Sequence, residues 1–225
     1  MPIRPAGTSR ASAVDHDASL HGQPLPRQLL VTPDVASRTQ IAAFASQLAQ
    51  ALARGTRLVQ LRNRSLDADG YRALAESALA LTHAAGAQLI LNPPHDVADR
   101  WLDVTGGALA ATVPQADGWH LTSERLMACD TRPAHWRLVS AACHDAAQLA
   151  QATRLGLDFV TLSPVLATTT HPDAPPLGWP AFTALAEQTS VPVFALGGMR
   201  AETLSTARNA GAYGIGAIRA FWPAA

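Results

Sequence analysis

Side chains suited to holding a phosphate alternate along one short stretch of the chain. Gln60, Arg62 and Arg64 stand at every second position where an apolar run ends. Alternate residues of a strand point to the same side, so the amide and both guanidinium groups would share one face. Arginine meets a phosphate or pyrophosphate with paired donors, although a solvated charged loop would have the same composition. Since Arg62 lies within the apolar pattern, where an unpaired charge is costly, we favour an anion site.

A second candidate anion site lies near the C-terminus. Gly197 and Gly198 end one apolar run, and Ile218 and Arg219 end the next. Glycines let backbone N–H groups approach a phosphate closely, and the N-terminus of a following helix adds a favourable dipole. A glycine pair alone often marks only a turn. The second run strengthens the interpretation, because the last two strands of a βα barrel commonly form one phosphate pocket.

His144 is the candidate for proton transfer. It ends another apolar run, in which Ala142 points the same way and Cys143 points the other way. A nucleophilic Cys143–His144 pair is therefore disfavoured, and Cys143 is expected to be a packed small residue. Histidine titrates near neutral pH and can shuttle protons, although a rim histidine can also have only a packing or hydrogen-bonding role. His120 ends an earlier run in the same manner and is the nearest rival.

These residues follow strands in a repeated pattern. Eight short apolar runs, at 29–31, 58–62, 88–91, 118–121, 137–142, 159–162, 191–196 and 213–218, alternate with helical patterns. Eight βα units in a row predict an α/β fold, the (βα)₈ or TIM barrel. An open doubly wound sheet is the alternative, since parallel strands look alike in both folds. The active face of such a barrel is at the strand C-termini, where we expect the candidate residues to converge.

Length sets the domain organisation. The 225 residues suit a single barrel, which we place at residues 28–225, with an irregular segment at 106–115 left unassigned. Residues 1–27 are rich in Ser, Ala, Pro and His and show no apolar period, so we predict a disordered arm there. A strand or helix that plugs the bottom of the barrel is the alternative for this segment.

Composition excludes several classes of partner. Formal net charge is zero, with 17 basic and 17 acidic residues and no basic run, so nucleic acid is disfavoured. The two cysteines suit neither a disulfide framework nor a metal knuckle. No apolar stretch approaches the roughly 20 residues of a membrane span, and the N-terminus lacks the apolar part of a secretory signal. We therefore expect a cytoplasmic protein without a membrane partner.

In their order and spacing, the motifs resemble the thiamine phosphate synthase / thiazole tautomerase (TenI) family. The matching pieces are VQLR at 59–62, DGWHL at 117–121, LDFVTLSP at 157–164, TTTH at 168–171, ALGG at 195–198 and GAYG at 211–214. A narrower set, CHD at 143–145, HP at 171–172 and IRAFW at 218–222, resembles a bacterial branch. In that branch the barrel often follows a Nudix hydrolase domain, which implies a Nudix hydrolase as a partner.

The resemblance implies a thiamine phosphate synthase-like TIM barrel and a small phosphorylated thiazole or pyrimidine as ligand. The family joins a pyrimidine pyrophosphate to a thiazole phosphate with Mg²⁺. Residue by residue, it implies ligand contacts for the positions that match its motifs. These are Gln60, Arg62, Arg64 (in place of a usual Lys) and Asn92 on the pyrophosphate and pyrimidine side, Thr168 and Thr170 on the phosphate side, and Gly198 and Ile218, within the Gly197–Gly198 and Ile218–Arg219 pairs, as backbone donors to the thiazole phosphate. His171 replaces the family's Lys beside the phosphates, and Arg219 stands where the family often has Ser.

The departures from the family concern its metal. Pro93 stands where the family has the Asp that holds Mg²⁺, and Arg125 stands where a second Asp ligand would be. Mg²⁺ needs hard anionic oxygens, which neither residue supplies, so we expect no metal and no other cofactor. Ala142 replaces a Ser of the family. His144 matches the histidine that the tautomerase branch is thought to use as acid and base.

Three functions are open at this point. A metal-independent enzyme of the tautomerase kind is favoured by His144 and by the missing carboxylates. An active thiamine phosphate synthase is the first alternative. A non-catalytic barrel that senses a thiamine intermediate or assists a Nudix hydrolase is the second. The sequence leaves open whether the chain is an enzyme at all, and whether it forms a homo-oligomer.

Overall fold

A closed barrel of eight parallel strands forms the centre of the molecule. The computed structural model describes residues 19–20, 23–102, 115–168 and 175–224. The barrel strands are β1 Gln28–Val31, β2 Leu58–Arg62, β3 Gln88–Asn92, β4 Gly118–Leu121, β5 Leu138–Cys143, β6 Phe159–Leu162, β7 Val193–Leu196 and β8 Gly214–Ala217. Each strand pairs with its sequence neighbours, and β8 pairs with β1 through Gly216 and Leu29. This closure confirms the predicted (βα)₈ barrel and excludes the open sheet.

Helices connect the strands and pack around the barrel. They are α1 Ile41–Ala53, α2 Ala68–Ala84, α3 His95–Leu102, α4 Ser123–Ala128, α5 Ala146–Arg154, α6 Gly178–Ala186 and α7 Leu204–Asn209, with 3₁₀ turns at Arg38–Gln40 and Ala201–Thr203. Three helices begin at a side chain that accepts a hydrogen bond from a backbone N–H of the first turn: Asp67, Thr122 and Asp145. None of the helices in the described part of the chain has the length and apolar character that a membrane span requires.

The alternation of each strand sorts its side chains into two layers. On β2, Val59 and Leu61 belong to the large core between strands and helices, whereas Leu58 belongs to the smaller core inside the barrel. The inner core ends in the aromatic pair Phe159 and Phe194, whose ring centroids lie 5.1 Å apart. Residues further along the strands on the inner face therefore point towards the mouth of the barrel.

The bottom of the barrel is closed by residues that precede β1. Leu25 is buried in the inner core, and Tyr213 donates its hydroxyl hydrogen to the Leu25 carbonyl. The guanidinium of Arg27 lies 3.9 Å from the centroid of the Tyr213 ring. Upstream, Ser19–Leu20 and Gln23–Pro24 form an antiparallel pair. The packed part of the chain thus begins before Gln28, so the prediction that the disordered arm extends to Arg27 is wrong for this segment. The sequence carries no signal for this packing, because a single buried leucine has no apolar period.

Two other differences from the predicted elements have simple causes. The strand predicted at 191–196 begins at Val193, since Pro192 has no N–H to donate to a ladder. Its carbonyl still accepts a hydrogen bond from the Val160 N–H at 2.9 Å. Of the unassigned segment at 106–115, residues 106–114 lie outside the described residues.

Candidate functional site

An open cavity of about 1210 Å³ occupies the mouth of the barrel, and every strand contributes to its wall. The structure brings most of the predicted site residues to it: Gln60, Arg62, Asn92, His144, Thr168, Gly197, Gly198, Ile218 and Arg219. Arg64 does not line this cavity. Thr170 and His171 lie outside the described residues, so their predicted contacts stay predictions.

Gln60 and Asn92 form a fixed polar pair on the wall of the cavity. Gln60 is only 3% exposed, and its Oε1 accepts a hydrogen bond from Asn92 Nδ2 at 3.1 Å. Asn92 is held in turn because its backbone N–H donates to the Tyr71 hydroxyl at 3.2 Å. With its oxygen engaged, Gln60 presents Nε2 as its hydrogen-bond donor to a ligand.

A single carboxylate organises the two arginines of the β2 end. Asp34 Oδ2 accepts from Arg64 Nη2 at 2.6 Å and lies 3.4 Å from Arg62 Nη1. Burial, followed by the positive charge of Arg64, lowers the pKa of Arg62, whereas Asp34 opposes that effect. Arg64 lies beyond the end of β2 at Arg62, and its guanidinium still meets that of Arg62 at the same Asp34 oxygen. Asp34 was missed, although it follows a strand as the other site residues do.

The glycine pair has the geometry of a phosphate-binding turn. Gly197 and Gly198 have φ values of 95° and 70°, in the left-handed region. A Cβ on Gly198 would lie 2.7 Å from the Cβ of Leu166, so a side chain has no room there. Among the described residues, the Gly198 N–H has no hydrogen-bond partner. The 3₁₀ turn at Ala201–Thr203 begins three residues later, and Ala201 and Glu202 line the same cavity.

His144 is held in one orientation at the cavity edge. Its Nδ1 lies 2.7 Å from the carbonyl oxygen of Ser163. A carbonyl can only accept, so Nδ1 carries the hydrogen, and Nε2 of the neutral ring is left unprotonated. Nε2 has no partner among the residues that the structure describes. Ala142 lines the same cavity, while Cys143 is buried on the other face with its pKa raised to about 12 by burial, which excludes a thiolate.

His120 differs from His144 in its surroundings. It is 4% exposed, and its Nδ1 lies 2.8 Å from the Ser140 hydroxyl. Burial, and then the charge of Arg62, lowers its pKa to about 3. The ring therefore stays neutral near pH 7 and can offer a hydrogen bond, but it is a poor proton acceptor.

Thr161 is a site residue that the sequence interpretation missed. Its side chain is buried on the cavity floor, and among the described residues its hydroxyl oxygen has no hydrogen-bond partner. β6 pairs with β5 so that Thr161 stands beside Ala142. A buried hydroxyl without a partner costs free energy unless a ligand or water satisfies it. The pattern at 159–162 predicts an apolar strand, and a single threonine within it gives no sequence signal for a ligand-binding residue.

A smaller cavity of about 290 Å³ adjoins the main one through Arg62, Asn92, His120 and Thr122, which line both. We call it the arginine recess, because Arg62, Arg64 and Arg125 line it together with Asn92, Pro93 and Thr122. The positions where the family resemblance implies carboxylates thus meet in one place. Among the described residues no cluster of three Asp, Glu, His or Cys side chains suits a metal ion. The donors of the recess do not fit Mg²⁺, which prefers carboxylate and water oxygens.

Sequence and structure comparisons with known proteins point to one family. A family model described as thiamine monophosphate synthase matches residues 29–221. A thiamine-phosphate synthase of Roseiflexus castenholzii is 35% identical over 175 residues, which cover 76% of this chain and 70% of that protein. One from Herpetosiphon aurantiacus is 32% identical over 193 residues, covering 85% of each. The solved structure of a thiamine phosphate pyrophosphorylase from Pyrococcus furiosus has the same fold, with a TM-score of 0.63, 19% identity and 85% of each chain covered. The resemblance read from the motifs is confirmed, and the chain belongs to the thiamine monophosphate synthase family.

Proposed function

We propose that the barrel binds a thiazole phosphate and that His144 moves a proton on its ring without a metal. The observation that carries this proposal is the placement of one base beside one phosphate turn. His144 and Gly198 line the same cavity, and the histidine Nε2 and the glycine N–H both lack a protein partner among the described residues. A ligand anchored by its phosphate at the glycine turn would bring its ring towards the histidine.

In the proposed reaction, His144 removes a proton from the ligand ring and returns it at another position. A tautomerisation breaks one bond to hydrogen in the ring and forms another, so no oxidant or second substrate is consumed. Nε2 accepts the proton, the ring becomes imidazolium, and the same nitrogen returns the proton to another ring atom. The Ser163 carbonyl, 2.7 Å from Nδ1, holds the imidazole in position during the transfer.

Buried polar groups of the cavity give the ring its orientation. Gln60 Nε2 and neutral His120 line the cavity on one side, and the Thr161 hydroxyl lines it on another. Consecutive strand residues rise by about 3.3 Å, so Thr161 lies roughly 7–10 Å below the level of the glycine turn. A phosphate on a short linker to a single ring spans that distance.

Thiamine phosphate synthase activity is the second candidate function. The names of the relatives favour it, as does the retention of Gln60, Arg62 and Asn92 on the wall that the family resemblance assigns to the pyrimidine pyrophosphate. Both candidates use the same phosphate turn. They differ in whether a second, pyrophosphate-bearing substrate is consumed.

Thermal shift with thiazole phosphate, thiamine phosphate and the pyrimidine pyrophosphate tests the binding part. A ligand at a hundred times its Kd adds about 2.7 kcal/mol to the free energy of unfolding, which raises Tm. Proton NMR in D₂O tests the reaction, since a tautomerase exchanges a ring proton of the thiazole phosphate with solvent. Absence of any shift at millimolar ligand would contradict the proposal. Robust joining of the two substrates, without proton exchange on thiazole phosphate alone, would favour the synthase.

A further inference from the structure

His144 lies in the short connection between a strand and a helix. β5 ends at Cys143 and α5 begins at Ala146, so His144 belongs to neither element. The residue is also exposed, at the edge of the cavity. Packing alone therefore does not fix its ring, and hydrogen bonds must hold the ring if it is to keep one orientation.

The backbone of His144 is held by the first turn of α5. Its N–H donates to Gln148 Oε1 at 2.7 Å, and the Gln148 N–H donates to Asp145 Oδ1 at 2.9 Å. This reciprocal pair is a capping box, with Asp145 as the N-cap and Gln148 three residues later. In the usual box the second side chain accepts from the N–H of the N-cap itself. Here it reaches one residue further upstream, to the histidine.

Two other helices that begin at a side-chain cap lack this second contact. Asp67 caps α2 and Thr122 caps α4, each by accepting from the backbone N–H three residues later. Those later residues are Gly70, which has no side chain, and Arg125, whose guanidinium cannot accept a hydrogen bond. A helix of this chain can thus begin without an acceptor side chain at that position. The contact made by Gln148 is therefore additional to what α5 needs in order to begin.

The ring of His144 is held from the neighbouring strand. Its Nδ1 donates to the Ser163 carbonyl at 2.7 Å, and the Ser163 N–H donates to the Cys143 carbonyl at 3.2 Å. Ser163 is thus tied to the residue before His144, so its carbonyl keeps its place relative to the end of β5. The ring reaches that carbonyl only while the His144 backbone stays where Gln148 holds it.

We propose that Gln148 is a positioning residue for His144. Its side-chain oxygen fixes the histidine backbone, so that Nδ1 meets the Ser163 carbonyl and Nε2 stays unprotonated as the base. Gln148 lines neither cavity, so it acts on a ligand only through His144. The consequence for turnover rests on the proposed function, whereas the effect on the ring is a property of the free protein.

Loss of this contact should affect turnover far more than stability. The His144 N–H belongs to an exposed residue, where water can replace the lost acceptor, and Asp145 still caps the helix. A reacting group displaced by about 1 Å can slow a reaction about a hundredfold. Gln148→Leu should therefore lower kcat about tenfold to hundredfold and leave KM within about threefold.

Nitrogen NMR of the histidine rings in the ligand-free protein measures the positioning directly. At pH 8.5, where histidine is ordinarily neutral, the His144 signals of the wild type should show the hydrogen on Nδ1. Gln148→Leu should show an average of the two tautomers, whereas Gln148→Glu, which keeps an acceptor oxygen, should remain like the wild type. The signals are assigned by their loss in His144→Asn.

Gln151→Leu is the matched control. Gln151 lies on the same helix, and its Nε2 donates to the carbonyls of Leu126 at 3.1 Å and Cys129 at 2.7 Å. This variant should lower Tm at least as much as Gln148→Leu does, because it breaks two hydrogen bonds to a neighbouring segment. Its His144 tautomer should match the wild type, and its kcat should stay within about twofold. A merely structural role of Gln148 would give the pattern of this control.

Rates of proton exchange on thiazole phosphate complete the test. The inference holds if Gln148→Leu loses the tautomer and the rate together while Gln148→Glu retains both, within about threefold. It is overturned if Gln148→Leu keeps the wild-type tautomer or the wild-type rate, or if Gln148→Glu loses as much as Gln148→Leu. A wild-type protein that shows the Nδ1 tautomer but no exchange contradicts the proposed function alone, and the tautomers of the variants then decide whether Gln148 positions the ring.

Discussion

The two halves of the barrel mouth offer different chemical groups to a ligand. The half formed by the ends of β5 to β8 offers backbone N–H groups at Gly198 and one oriented base, His144. The half formed by the ends of β1 to β4 offers the guanidinium groups of Arg62 and Arg64, with Asp34 as their organising carboxylate. Backbone donors are fixed by local geometry, so they give position. Guanidinium groups give charge, which depends on neighbouring groups and on salt.

The difference indicates where chemistry and where affinity reside. A histidine whose Nδ1 donates to a carbonyl leaves Nε2 available as a base, as His144 does. A histidine that is buried beside a guanidinium loses that role, as His120 does with its pKa near 3. The proposed function therefore places proton transfer in the β5–β8 half, and the guanidinium groups of the β1–β4 half are expected to contribute to binding.

The largest effect is expected from His144→Asn. Asn keeps a donor for the Ser163 carbonyl but removes the base, so turnover should fall by about 10²–10⁴. Affinity for thiazole phosphate should stay within a few-fold, because the phosphate turn is untouched. Steady-state rates and calorimetric Kd values give the two readouts. Unchanged turnover, or parallel loss of turnover and binding, would contradict the assignment and turn the β5–β8 half into a binding surface only.

Gly198→Ala should separate the phosphate turn from the rest of that half. The new Cβ would lie 2.7 Å from Leu166 Cβ on a residue with φ of 70°, so the turn must move. We expect thiazole phosphate affinity to fall by about tenfold to hundredfold and the free energy of unfolding by about 1–3 kcal/mol.

Gly86→Ala is the matched control for that variant. Gly86 has a similar φ of 63°, but nothing lies within 4 Å of the added Cβ, and it is outside both cavities. It should lose about 1 kcal/mol of stability through backbone strain and keep its ligand affinity. Equal affinity losses in the two variants would show that the turn does not hold the phosphate.

The charged half should make stability depend on pH through His120. Its pKa is about 3 in the folded protein and about 6.5 when unfolded, so the unfolded state binds more protons between these values. Stability therefore rises with pH in this window, by about 1.4 kcal/mol per unit, and roughly 2 kcal/mol is lost from pH 6.5 to pH 5.

His120→Gln should remove that contribution while keeping a group for the Ser140 hydroxyl. Urea unfolding at pH 7, 6 and 5 measures the slope, and the variant should lose about 2 kcal/mol less than the wild type on acidification. His135→Gln, at an exposed position, is the control for loss of an imidazole. If His120→Gln changes the slope no more than the control does, burial of a neutral His120 is wrong.

The regular parts of the fold were predictable from the sequence, because they follow from periodicity. The alternation of β2 alone predicts that Val59 faces the helices and that Gln60 faces the barrel mouth. The structure confirms both positions. The rule does not extend to Arg64, because the strand ends before it. Leu25 was missed because a single residue that plugs the barrel has no period at all.

The charged and unpartnered groups were harder to predict, since their roles depend on neighbours far along the chain. Asp34 is part of the site because it accepts a hydrogen bond from Arg64, which is 30 residues away in sequence. Pro93 and Arg125 were marked by the family resemblance, but only the structure brings them into one recess. The predicted Nudix hydrolase partner, like the contacts of Thr170 and His171, stays a prediction.

Thr161 gives the smallest effect and the most diagnostic one. Thr161→Val replaces a buried hydroxyl without a partner by a methyl group of the same shape, so the free protein should be equally or more stable. If the hydroxyl contacts the ligand ring, thiazole phosphate affinity should fall by about 1 kcal/mol, or roughly fivefold. Thr82→Val is the matched control, because the Thr82 hydroxyl is also buried but donates to the Ala78 carbonyl at 3.0 Å within α2.

The two threonine variants should therefore move in opposite directions. Thr82→Val should lower Tm and leave Kd unchanged, whereas Thr161→Val should raise Kd without lowering Tm. A structural residue cannot give the second result, since loss of a packing or hydrogen-bonding role would appear first in the stability of the free protein. If Thr161→Val lowers Tm and leaves Kd unchanged, the hydroxyl serves the barrel rather than the ligand, and the ring must be oriented by the opposite wall, through Gln60 and His120.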